Sequence, residues 1–200
     1  MKRSALVIAL VSGCATIRPA ETSLAHPVPG FPPDPAKLAF VLGSVLCADD
    51  PETEMARQAV LLANTVVLSP CFERELLKSK LSTVPEGTTT QTVLADMRSG
   101  KSPLDVAFFT GTWWQDFVTK TIGYDEPTAP NVVHMNRNFV RTVEAAADNF
   151  LHEAAHARGY KHVSAKDATS VPYTMNRIFG ACIKELGASY VPSGTLEASE

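Results

Sequence analysis

The sequence predicts a single α+β domain, and three observations carry that prediction. Its 200 residues lie within the usual span of one domain and suffice to bury a core. Helical and strand-like patterns are segregated along the chain: helix patterns fill 51–99, β-branched and aromatic runs fill 105–136, and helix patterns return from 142 to 186. No internal repeat interrupts that order. With 45% hydrophobic and 20% charged residues, the balance is that of an ordinary globular chain. Eighteen basic residues stand against 21 acidic ones, for a formal charge of −3. They are scattered, which excludes the basic footprint of a nucleic-acid-binding protein. No apolar run approaches the ~18 residues that a transmembrane helix needs.

The N-terminus reads as an export address. Met1-Lys2-Arg3 is a basic start, Ser4 to Val11 is a short apolar stretch, and Val11-Ser12-Gly13-Cys14 supplies small residues before a cleavage point. That ending resembles the lipobox of bacterial lipoproteins, which implies a signal peptide over 1–13 and a lipid on Cys14. Ala15 rather than Asp at the next position implies, by the same resemblance, an outer membrane faced from the periplasm. The alternative is a plain secretory signal with an incidental cysteine. Residues 14–36 then form a tether, in which Pro19, Pro27, Pro29, Pro32, Pro33 and Pro35 favour an extended, semi-rigid spacer. The folded body is expected over 37–200.

Within the body, Lys37 to Cys47 is apolar and opens as a helix or a strand. Pro51 to Leu68 predicts a helix, with Pro51 in the first turn and Glu52 and Glu54 complementing its dipole. Ser69-Pro70 breaks it, and Cys71 to Leu81 restarts as a short charged helix. Thr89 to Ser99 predicts a third helix, closed by Gly100. Asp105 to Phe109, Trp113 to Ile122 and Asn131 to Asn136 carry the residues of strands. A longer helix is expected from about Thr142 to Ala157, with Val143, Ala147, Phe150 and Ala154 inward. The last helix lies near Val171 to Leu186, with Ser170 as its N-cap, Pro172 in its first turn and Gly187 at its end. An exported chain permits a disulfide among Cys47, Cys71 and Cys182, with one thiol left over and the pairing open.

The chemistry lies in Leu151-His152-Glu153-Ala154-Ala155-His156-Ala157-Arg158-Gly159-Tyr160-Lys161-His162, which contains HExxHxxGxxH. Three of the five histidines fall here. His152 and His156 are four apart, so on a helix they share a face one turn apart and can point at one metal ion. Glu153 sits beside the metal rather than on it, placed to take a proton from a metal-activated water. Gly159 can adopt a positive φ, end the helix and return His162 as a third ligand. Three protein ligands leave an open fourth position, the mark of a catalytic rather than a structural zinc site.

At these residues the sequence resembles the metzincin branch of the zinc metallopeptidases, whose extended motif it matches at every fixed position. The resemblance implies Zn2+ on His152, His156 and His162, Glu153 as general base, and a zincin-like fold with a small mixed sheet, an active-site helix and a C-terminal helix. It further implies an edge strand lining a peptide cleft, for which Asn131 to Asn136 is the candidate. Metzincins place a methionine before a tyrosine beneath the metal, whereas Ser170-Val171-Pro172-Tyr173-Thr174-Met175 has the reverse order. Met175 is therefore open between a floor for the site and core packing, and Tyr173 between oxyanion stabilisation and a half-buried structural role. Tyr124, Asn136-Arg137, the HExxH helix and Ser170-Val171-Pro172-Tyr173 together resemble a looser set of bacterial secreted zincins.

Other residues are weaker candidates. His134 is expected either at the cleft or exposed on its strand. Asp148, four before His152, is expected to orient that ligand or to be solvated. Trp113-Trp114 is open between a substrate pocket and core packing. The function expected is a monomeric zinc metalloendopeptidase acting on a peptide or protein, held to the bacterial envelope only by its N-terminal lipid. Two alternatives stand beside it: a zinc hydrolase acting on peptidoglycan peptides, and a non-catalytic zinc-binding envelope lipoprotein. The last requires a fourth protein ligand, with His134 or Asp167 as candidates.

Overall fold

A computed structural model describes residues 16–17, 38–82, 84–100, 103–113, 123, 129–162 and 167–186. The elements run β1 (Thr16–Ile17), β2 (Leu42–Leu46), α1 (Asp50–Leu68), α2 (Pro70–Leu77), α3 (Thr90–Met97), β3 (Leu104–Phe109), β4 (Val132–Asn136), α4 (Val143–Ala157) and α5 (Val171–Leu186). The expected α+β content is thus present. The open choice for Lys37 to Cys47 resolves as a strand, β2.

Each early helix starts where local chemistry demands. Asp49 accepts from the Glu52 N–H at 2.8 Å and the Glu52 carboxylate accepts from the Asp49 N–H at 3.2 Å, a capping box that starts α1. Ser69 ends α1 and begins α2: its hydroxyl donates to Val66 O at 2.7 Å and accepts from the Phe72 N–H at 3.1 Å. Asn64, buried on α1, accepts from Phe40 N and donates to Phe40 O, holding the approach to β2 against the helix. Thr89 caps α3. Gly100 closes that segment at φ 57°, where an added Cβ would sit 2.8 Å from Leu38 O.

The strands β2, β3 and β4 are parallel, in the order β1-β2-β3-β4, with the two residues of β1 antiparallel to β2. Helices α1 to α3 form the crossover between β2 and β3. β4 is the last strand of that order among the described residues. Most positions of β3 and β4 are buried whichever way they face, the pattern of a parallel sheet covered on both sides. Helix α4 packs against α1, α5 and β4. Its Phe150 meets Phe40 edge to face at 5.3 Å between ring centroids.

Two fastenings hold the layers. Arg137, just past β4, donates to both Glu52 carboxylate oxygens, to Cys47 O at 2.7 Å and to Thr110 Oγ1 at 3.0 Å. One guanidinium therefore joins the ends of β2, β3 and β4 to the start of α1, which gives Arg137 a structural role. Cys47 itself takes a φ of 58°, uncommon for a residue with a side chain. The second fastening is the disulfide Cys71–Cys182, which ties α2 to α5.

Several expectations change. Cys47 is also disulfide-bonded, so no thiol is left over among the described cysteines. Ser170 stands at the expected N-cap position of α5, its carbonyl accepting from the Thr174 N–H at 2.8 Å, while its hydroxyl donates to Asp167 O at 2.8 Å. Of the proposed strand Trp113 to Ile122 only Trp113 is described, and it is 68% exposed. The signal peptide, Cys14, the tether apart from Thr16–Ile17, Trp114, Tyr124 and Gly187 lie outside the described residues. No single described helix is long and apolar enough to cross a membrane.

Candidate metal centre

Thr142 starts α4 by accepting from the Ala145 N–H at 3.2 Å. The helix then runs without a break through His152, Glu153 and His156. Its end is a Schellman turn: Gly159 N–H donates to His156 O at 2.8 Å and Tyr160 N–H to Ala155 O at 3.1 Å. Gly159 sits at φ 90°, a region that glycine enters freely and side-chain-bearing residues do not. The turn reverses the chain and brings His162 back onto the helix face. One potential ligand atom from each of His152, His156 and His162 lies within 4.8 Å of the other two. The ring centroids are 5.1, 5.5 and 4.9 Å apart. The three expected ligands are therefore brought together, and they can hold a metal ion.

Each helical ligand has its other ring nitrogen occupied. His152 Nδ1 lies 2.6 Å from Asn176 Oδ1, and His156 Nδ1 lies 2.8 Å from Tyr160 O. Such contacts fix the ring and leave Nε2 for a metal. Burial pushes the His152 imidazole down to about 4; the Asn176 hydrogen bond opposes this and the neighbouring His156 and His162 add to it. The ring is thus neutral near pH 7, the form that binds a metal. An all-imidazole donor set suits zinc among the common divalent ions.

Glu153 is 5% exposed. Gly123 lies against it so closely that an added Cβ would sit 2.6 Å from Glu153 Oε1, 2.6 Å from His134 O and 2.7 Å from Asn149 Oδ1. Asn149, one turn before Glu153, donates to His134 O at 3.3 Å and pins β4 to α4. Tyr173 reaches the centre from α5, its ring 4.9 Å from that of His152 and 4.8 Å from that of His162. Burial, with the charge of Glu153, raises its phenol further above the ordinary value, so it stays protonated at neutral pH.

The weaker candidates divide. Asp148 does belong to the centre, but through an intermediary: its carboxylate accepts from Asn176 Nδ2 at 2.8 Å. Met175 is fully enclosed in the hydrophobic core. His134 is buried on β4 rather than exposed, and it is not a member of the metal-binding group among the described residues. Asp167 is not a member either, and its carboxylate accepts from Ser82 Oγ at 2.6 Å. Sequence reasoning missed Asn149, Tyr160, Gly123 and Asn176. Only Tyr160, adjacent to the expected turn, carried a local signal.

The fold and site define an α+β protein with a three-histidine candidate metal centre on a central helix. Comparison with protein-family models, with curated proteins and with solved structures finds no match to this chain.

Proposed function

We propose that this chain is a zinc-dependent metalloendopeptidase of the bacterial envelope, with a zincin-like fold and a lipid anchor at Cys14. The observation that carries the reading is the convergence of His152, His156 and His162 with Glu153 one residue along the same helix. Those three residues would hold the ion. When bound, zinc supplies Lewis acidity towards a scissile carbonyl and lowers the pKa of water. The Glu153 carboxylate takes the proton from the attacking water and delivers it to the leaving amine. The protonated Tyr173 phenol, beside His152 and His162, donates to the oxyanion that forms. The non-catalytic reading needs a fourth protein ligand, and the group among the described residues contains three.

The test is Glu153→Gln in the full chain. Zinc content should stay near one per chain while cleavage of a denatured protein substrate falls by about 10²–10⁴-fold. Wild-type cleavage by this variant would sink the mechanism. Running purified sacculi beside the protein substrate separates proteolysis from peptidoglycan hydrolysis. The lipid reading has its own test, the mass of envelope-extracted protein. That mass should carry the lipid on the fragment that begins at Cys14, and an unlipidated mass would remove the anchor.

A further inference from the structure

We propose that Asn176 is a positioning residue for His152: an amide whose orientation Asp148 locks, and which fixes the imidazole proton on Nδ1 so that Nε2 faces the point shared with His156 and His162. The proposal rests on the metal-centre reading and brings α5 into that centre.

An asparagine amide can present either its oxygen or its NH2 to a neighbour. Here the choice is forced. The NH2 end meets two acceptors on α4, Asp148 Oδ1 at 2.8 Å and Asp148 O at 3.2 Å. Reversed, the amide would face an oxygen to two oxygens and its NH2 to the ring. With the NH2 engaged, Oδ1 is directed at His152 Nδ1, 2.6 Å away. Oδ1 has no proton to give, so Nδ1 must donate. A neutral imidazole has one N–H, which leaves the lone pair on Nε2.

Asp148 and His152 are one turn apart on the same helix face, yet the carboxylate acts on the ring through a residue from another helix. That arrangement transmits orientation while keeping the anionic oxygens one residue away from the ring. Burial raises the Asp148 carboxyl and its hydrogen bond from Asn176 opposes the rise, so the two groups depend on each other. The second helical ligand needs no such device, since a backbone carbonyl can only accept and so fixes the His156 tautomer without help.

The test uses the full-length protein as wild type, Asn176→Leu and Asn176→Asp. Zinc affinity is read by competition with a chromogenic chelator. The His152 tautomer is read in the zinc-free protein above pH 7 by long-range proton–nitrogen-15 correlation. Wild type should carry its proton on Nδ1. Asn176→Leu should lose that preference and bind zinc about 10–100-fold more weakly. Asn176→Asp keeps an unprotonated oxygen facing Nδ1, with a proton shared towards Asp148, and should recover most of both signals. An Asn176→Leu protein with wild-type tautomer and affinity within twofold would overturn the proposal. So would a wild-type His152 with its proton on Nε2, a result that stands even where the Leu variant does not fold. Absence of zinc binding in wild type would instead overturn the metal reading, while the tautomer still decides whether the amide sets the ring.

Discussion

His152 and His156 lie one turn apart on the same helix, yet they are held in different ways. His156 leans on Tyr160 O, a backbone group four residues along that the Schellman turn delivers. His152 leans on a side-chain amide from α5, 24 residues away in sequence, and that amide leans on Asp148. One support is local and made of backbone, so it survives any substitution that spares the turn. The other is tertiary, and it depends on where α5 sits. A centre supported in both ways should respond to remote changes through His152 and to local ones through His156 and His162.

The largest effect should come from loosening α5. The Cys71–Cys182 bridge spans 111 residues and joins α2 to α5. Replacing both cysteines by Ala should cost about 2–5 kcal/mol of stability, read by denaturant unfolding. It should also weaken zinc binding, with the His152 tautomer as the affected signal and His156 unchanged. Equal disturbance of both rings would erase the distinction between the two supports.

A smaller effect should follow Gly159→Ala. A side chain held near φ 90° costs about 1–2 kcal/mol, and relief of that strain would move Tyr160 O and His162 together. Zinc affinity should fall by more than about tenfold, with His152 still bonded to Asn176. If this variant binds zinc as tightly as wild type, the turn is not what returns His162.

The smallest effect sharpens the comparison. The Tyr160 hydroxyl donates to Asp96 on α3 at 2.6 Å, but it is the Tyr160 carbonyl that holds His156. Tyr160→Phe should cost about 1 kcal/mol and leave zinc affinity within about threefold. A large loss of affinity would mean that the side-chain anchor, and not the turn, sets the carbonyl.

The same contrast explains how much of the molecule was legible in advance. Helix boundaries were readable to within a few residues because caps and breakers act over a single turn. Asp49 with Glu52, Ser69 with Val66 and Phe72, and Thr89 with Thr92 are cases in which the deciding hydrogen bond joins near neighbours. The ligand trio was readable for the same reason, since helical pitch and one glycine relate its members. Ser170 was readable as the residue before α5, where its carbonyl accepts from the Thr174 N–H, but the bond of its hydroxyl to Asp167 O three residues back offers no pattern of its own. The disulfide pairing was not readable, because nearness along the chain favours Cys47 with Cys71 and the packing of α2 on α5 favours Cys182.

By itself, then, the sequence determined the helix α4, the turn at Gly159 and the three imidazoles with Glu153, all consequences of forces acting within about one helical turn. Tertiary structure alone decided that the three paired body strands run parallel, that Tyr173 reaches the histidines and that Met175 packs in the core. It also decided that Asp148 acts on His152 through Asn176. The physical reason is that these contacts join residues far apart in the chain. Their partners are selected by packing of whole helices, and no local spacing encodes that choice.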